Sequence, residues 1–71
     1  MNKIKVLDEN NNMLECDIIK VIENKELNKV YVAYKYKEDI LVSQLIKTND
    51  KYEILPVEDS EWEFIEKKLN E

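Results

Sequence analysis

The gaps between its apolar runs constrain this chain more than anything inside them. From residue 3 to residue 57 the β-prone stretches KIKVL, MLECDIIKVIE, VYVAYKY, ILVSQLIK and YEILPV are interrupted only by DENNN, NKELNK, KED and TNDK. A parallel crossover needs a dozen or more residues, so gaps this short make each run fold back antiparallel on the one before it. The pattern predicts a β-meander with strands near residues 3–7, 13–22, 29–36, 40–47 and 51–55.

Those turns must be made without glycine, because the chain has none. Asparagine is the next residue to accept a positive φ, and Asn10, Asn11, Asn12, Asn24, Asn28 and Asn49 stand where the chain has to reverse.

Alternation assigns the strand faces. Ile4 and Val6 share one face of the first run, and Leu14, Cys16 and Ile18 share one face of the second. Beyond Ile18 the apolar phase slips to Ile19 and Val21 or continues through Ile22; a bulge near Ile18, or burial on both sides, accounts for the slip. In VYVAYKY, Val30, Val32, Tyr34 and Tyr36 oppose Tyr31 and Ala33, which marks a central strand. Val42, Gln44 and Ile46 oppose Leu41, Ser43 and Leu45 in the next run, and Pro56 ends the last.

Such a sheet has an apolar face that another element must cover, and EDSEWEFIEKKLNE is the segment left to do it. Ser60 followed by Glu63 reads as a capping box opening a helix near residues 60–70. Glu61 and Glu63 then sit at its positive end, Lys67 and Lys68 at its negative end, and Glu63 precedes Lys67 at i,i+4 spacing. A helix this short is marginal alone in water, so it must dock. At about 100° per residue Trp62, Ile65 and Leu69 form one stripe while Phe64 points far round the cylinder, so the two aromatics are not expected to share a core. Periodicity alone allows either aromatic to be the buried one. Burial of Trp62, Ile65 and Leu69 contributes roughly 1.5–3 kcal/mol each, against the roughly 5 kcal/mol available to a small domain. The expected fold is α+β: one domain over residues 1–71, a small five-stranded antiparallel β-meander, twisted or partly barrelled, closed by one C-terminal α-helix.

Composition narrows the function classes. The 44% hydrophobic and 38% charged content is that of a globular chain. Net charge is −5, from 16 acidic residues against 11 basic ones, all Lys. The one basic cluster, Lys35 and Lys37 in YKYKED, is followed at once by acids, so direct nucleic-acid binding is not expected. Cys16 has no partner for an internal disulfide and reads as a small buried hydrophobe. The N-terminus lacks the apolar core of a signal peptide, and the longest apolar run, VYVAY, is far too short to span a membrane. A cytoplasmic protein with no membrane contact is expected.

The usual catalytic apparatus is missing from the sequence. There is no His to act as a general base or metal ligand, and no glycine for a phosphate-cradling loop. Ser43 has no base to activate it, and Ser60 is explained as a cap. Asp8 with Glu9, Glu38 with Asp39 and Glu58 with Asp59 read as solvated turn acids, because a calcium loop needs a glycine this chain lacks. No catalytic, metal-binding or cofactor-binding residue is expected, and the chain is read as a non-enzyme. What remains is a protein-binding module or accessory factor, with Phe64 as an exposed anchor rimmed by Glu61 and Glu66, and Tyr36 as a further contact. Its partner is expected to be a protein, and the chain itself a monomer or a weak homodimer through an edge strand. The alternative is an acidic inhibitor that occupies a basic nucleic-acid-binding cleft of another protein.

Taken in order, LDENNNMLECDII, KVYVAYKY and EILPVEDSEWEFIEKKL resemble the YrzB-like family, an uncharacterised group of short acidic bacterial proteins. That family opens with a strand and a D-E-x-G-N turn and ends in L-x-P-I-E-D before an acidic helix; here Asn stands where the turn often has Gly. Its helix spaces an aromatic, an aliphatic three positions on and a large apolar residue four further, which Trp62, Ile65 and Leu69 match. The resemblance implies that Trp62 is the buried aromatic and Phe64 the departure. It implies no activity, cofactor or partner.

Overall fold

Short turns and alternating strands produce an antiparallel meander in the computed structural model, which describes residues 2–7, 10–49 and 51–71. Asp8 and Glu9, one of the carboxylate pairs singled out above, lie outside the described residues, as do Met1 and Asp50. The strands are β1 (Lys3–Leu7), β2 (Met13–Asn24), β3 (Lys29–Tyr36), β4 (Asp39–Thr48) and β5 (Lys51–Leu55), followed by a 3₁₀ turn (Asp59–Glu61) and helix α1 (Trp62–Leu69). Each strand pairs antiparallel with the next, in the order β1-β2-β3-β4-β5. The sheet curls nearly into a barrel, bringing Lys5, Val6 and Leu7 of β1 and Tyr52, Glu53 and Ile54 of β5 to opposite sides of one shallow groove.

Asparagine takes several of the turn positions that glycine leaves open. Asn11, Asn28 and Asn49 have φ of 63°, 54° and 56°. Asn24 works through its side chain, with Oδ1 accepting from the Leu27 N–H at 3.1 Å. Lys37, read from the sequence only as part of a basic cluster, also has a positive φ of 57°. It occupies the tight turn between Tyr36 and Asp39, which face each other across β3 and β4.

The slip in β2 is a bulge. Ile18 faces Tyr34, but Lys20 faces Ala33, leaving Ile19 as the extra residue. The bulge reverses the phase of the strand. Leu14, Cys16 and Ile18 point to the inside of the curl, whereas Ile22, of the same parity, points to the outside. A single strand thereby serves two apolar clusters. Inside the curl, Ile4, Val6, Cys16, Val32 and Tyr34 are buried together, with Leu45 and Ile54 packed against them. Outside it, Ile22 and Tyr31 are buried with Ile65 of α1. The central strand β3 is covered on both faces, and Tyr31, Val32, Ala33 and Tyr34 are all buried.

The helix therefore does not cover the whole apolar surface of the meander. It covers the outer face of β2, β3 and β4, while the inner face is covered by the curl of the sheet itself. Ile65 is wholly buried at the centre of this contact. Trp62 and Leu69 flank it on one side and Phe64 on the other, all half-buried against the same cluster. The expectation that Trp62 and Phe64 cannot share a core is corrected here. Ile65 lies about 60° from Trp62 and about 100° from Phe64 round the helix, and rings this long reach the cluster from both flanks. The Phe64 ring centroid lies 6.5 Å from that of Tyr31.

The capping box is also corrected. Ser60 lies within the 3₁₀ turn, the residue before α1 is Glu61, and neither segment has a side-chain cap. The Glu61 N–H donates to the Glu58 carbonyl at 2.9 Å and the Trp62 N–H to the Asp59 carbonyl, so the tight turn satisfies with backbone carbonyls a donor, that of Trp62, within reach of a serine cap. The charge order along α1 is as expected, with Glu63 in its first turn and Lys67 and Lys68 in its last. The Lys20 ammonium donates to the Lys68 carbonyl at 2.6 Å, tying the helix end to β2.

Candidate functional site

The four residues nominated from sequence are scattered by the fold into different settings. Glu61 is not a rim residue. Its side chain is 3% exposed, and its Oε1 accepts from the Lys29 ammonium at 2.5 Å. The 3₁₀ turn points Glu61 back at the start of β3, where Lys29 leads into buried Tyr31. The hydrogen bond from Lys29 holds the Glu61 carboxyl below its ordinary value, against the opposing effect of burial. The same bond raises Lys29. Burial is the main cause of the upward shift at Tyr31, reinforced by neighbouring Glu61. Tyr31 Oη and Glu61 Oε2 are buried without a hydrogen-bond partner among the described residues, so this cluster carries an unmet polar demand.

Helical periodicity held the signal for this burial. Glu61 precedes Ile65 by four residues, which places both on one helix face. Its charge argued for solvent, and the lysine that answers it lies 32 positions earlier in the chain, beyond the reach of any local rule.

Phe64 is half-buried, stacked obliquely on Tyr31, with the Lys68 ammonium 5.8 Å from its ring centroid. Tyr36 is half-buried against the inner cluster, and Lys37 reaches to 5.4 Å from its ring. Cys16 is buried in the same cluster; burial, and then the charge of Asp17, raise its thiol above the ordinary value. Of the four, Glu66 alone is exposed on an apolar border. It lies beside Trp62 and Leu69, at i−4 and i+3 along α1.

That border is a groove of about 530 Å³ between the helix and the first half of β4. Its apolar walls include Ile40, Leu41 and Val42 on one side and Trp62 and Leu69 on the other, with Glu66 the charged residue among those that line it. Ile40 is 61% exposed and Leu41 39%. Here β4 outruns its partner: β5 pairs with residues 44–48, so, among the described residues, 39–43 have a strand neighbour, β3, on one side alone. Among the described residues no three His, Cys, Asp or Glu side chains come together as metal ligands, and no helix is long and apolar enough to cross a membrane.

These features define a curled five-stranded antiparallel meander with one short helix on its outer face and an apolar groove beside it. The chain belongs to the uncharacterised family of the UPF0473 protein YrzB of Bacillus subtilis (strain 168). It is 35% identical to that protein over 77 aligned positions, which cover 94% of this chain and 83% of the relative. The YrzB-like resemblance read from the motifs is thereby established. No family model matches the chain, and no solved structure matches it significantly.

Proposed function

We propose that this chain is a small, non-enzymatic binding module that docks another protein in the groove between β4 and α1. One observation carries the reading: large apolar side chains, Ile40 and Leu41 among them, stay exposed beside half-buried Trp62 and Leu69 in a chain too small to spare them from its core. The absence of His and Gly from the sequence supports a binding role over a catalytic one. An aromatic in the wall of an apolar cleft with a charge at its border is the usual anatomy of an anchor pocket.

The second reading, an acidic decoy for a basic cleft, has less support. Lysines are interleaved with the acids, as in Lys3 beside Glu15 and Asp17 and Lys68 beside Glu71, which breaks up the negative field.

Quantitative affinity capture from the native lysate tests the proposal, using wild type, Leu41→Lys in the groove and Leu7→Lys away from it. A protein retained by wild type and Leu7→Lys and lost with Leu41→Lys is the expected result. Equal recovery with all three, or none with any, contradicts it.

A further inference from the structure

The groove has a feature that a purely hydrophobic pocket lacks. Along residues 39–43 the backbone of β4 is hydrogen-bonded to β3 on one side and, among the described residues, has no strand on the other. Alternate N–H and C=O groups of an antiparallel strand point to each side, so this stretch presents a short row of donors and acceptors next to the apolar walls. A helix or a flat apolar face laid into the groove leaves that row unanswered, whereas an extended strand pairs with it and sends every second side chain toward Trp62 and Leu69.

We infer that the occupant is an extended segment of a partner protein, added antiparallel or parallel to residues 39–43 as a sixth strand, apolar at alternate positions and carrying a Lys or Arg that meets Glu66. This deepens the proposed binding function and rests on it. The charge preference comes from Glu66 at the border of the groove and from the net charge of −5, which draws a basic segment in. A second copy of this chain fits less well. It brings another Glu66 and another −5, repeating the charge instead of answering it. The sheet has a second open seam between β1 and β5, but Lys3 and Lys5 border it, which disfavours a basic segment, and its aromatic, Tyr52, already faces the Lys47 ammonium 5.8 Å from its ring.

The test selects phage-displayed random peptides on the full chain, then follows synthetic copies of the winners by backbone amide NMR. Winners are expected to alternate apolar residues, to carry Lys or Arg, and to shift the amide signals of residues 39–43 together with the Trp62 indole. Methylating two backbone nitrogens on their pairing edge removes two hydrogen bonds and is expected to weaken binding at least about tenfold. Glu66→Lys, at an exposed position, is expected to switch the selected charge to Asp or Glu. Winners that shift signals elsewhere, bind as helices or ignore N-methylation overturn strand addition and leave protein binding standing. Failure to select any peptide also overturns strand addition, and the lysate capture then decides the binding reading alone. Concentration-dependent shifts of residues 39–43 in the free protein assign the edge to a second copy and overturn the inference.

Discussion

At the scale of single residues, two side chains defy the habits of their type. Glu61 is a carboxylate inside the protein, held ionised by Lys29 and pressed against Tyr31. Its folded pKa lies below the ordinary 4.5, so folding favours the charged form. The resulting stability is present above that value and is lost as pH falls through the lower folded pKa. Denaturant midpoints measured between about pH 6 and about pH 2 should therefore drop in the acid limb below 4.5, and Glu61→Gln should lower stability at neutral pH while flattening that limb. A Gln variant with an unchanged acid limb shows that other carboxylates carry it. Lys29 and Tyr31 are both raised, so their contribution is present at neutral pH and is lost as pH climbs through their folded values, above the ordinary 10.5 and 10.0. Lys37 is the other exception, a side chain with a Cβ held at a φ of 57°. Lys37→Gly relieves that conformation and should raise stability by up to about 1 kcal/mol, read from a chemical denaturation curve. A loss instead means that the contact between Lys37 and the Tyr36 ring outweighs the relief.

Among the elements, the helix is the one whose persistence depends most on packing. Eight residues cannot hold a helix alone in water, and α1 has no side-chain cap to help it. Its stability comes from Ile65, wholly buried against Ile22 and Tyr31. Ile65→Ala should cost about 2–5 kcal/mol, a large share of what so small a domain has. Truncation after Pro56 should remove cooperative unfolding altogether, because it uncovers Tyr31 and Ile22 on the outer face of the sheet. A sharp thermal transition in the truncated chain would contradict this. The β2 bulge is the second decisive element. Without the extra Ile19, Ile22 would turn away from the helix, and the outer cluster would lose its floor.

Much of this was legible in the sequence, for a physical reason. Gap length dictates antiparallel order, and the slip from Ile18 to Ile22 shows where the phase breaks, because both signals are local. The asparagine turns followed from the lack of glycine, as Asn11, Asn28 and Asn49 show, but nothing in the sequence marked Lys37 as a further positive-φ residue. The missing cap at Ser60 reflects a 3₁₀ turn that the capping pattern does not distinguish from a helix start, and the burial of Glu61, though its spacing from Ile65 allowed it, rests on Lys29, far off in the chain. The groove was hidden too. Exposure of Ile40 and Leu41 reflects where β5 stops, a property of strand ends that alternation does not encode.

For the whole molecule, two-sided burial of β3 gathers the inner and outer clusters, while Ile40 and Leu41 stay exposed where the free half of β4 meets the helix. The central claim is that another protein occupies the groove between the free half of β4 and α1. Site-specific photocrosslinking in the cell that makes this protein tests it most directly, with a photoreactive side chain placed in turn at Ile40, at Leu7 and at Val21, all exposed apolar positions. The account predicts an adduct with a second, different polypeptide from Ile40 and none from Leu7 or Val21. An adduct from Leu7 or Val21 but not from Ile40, or from Ile40 only to another copy of the chain, would contradict it.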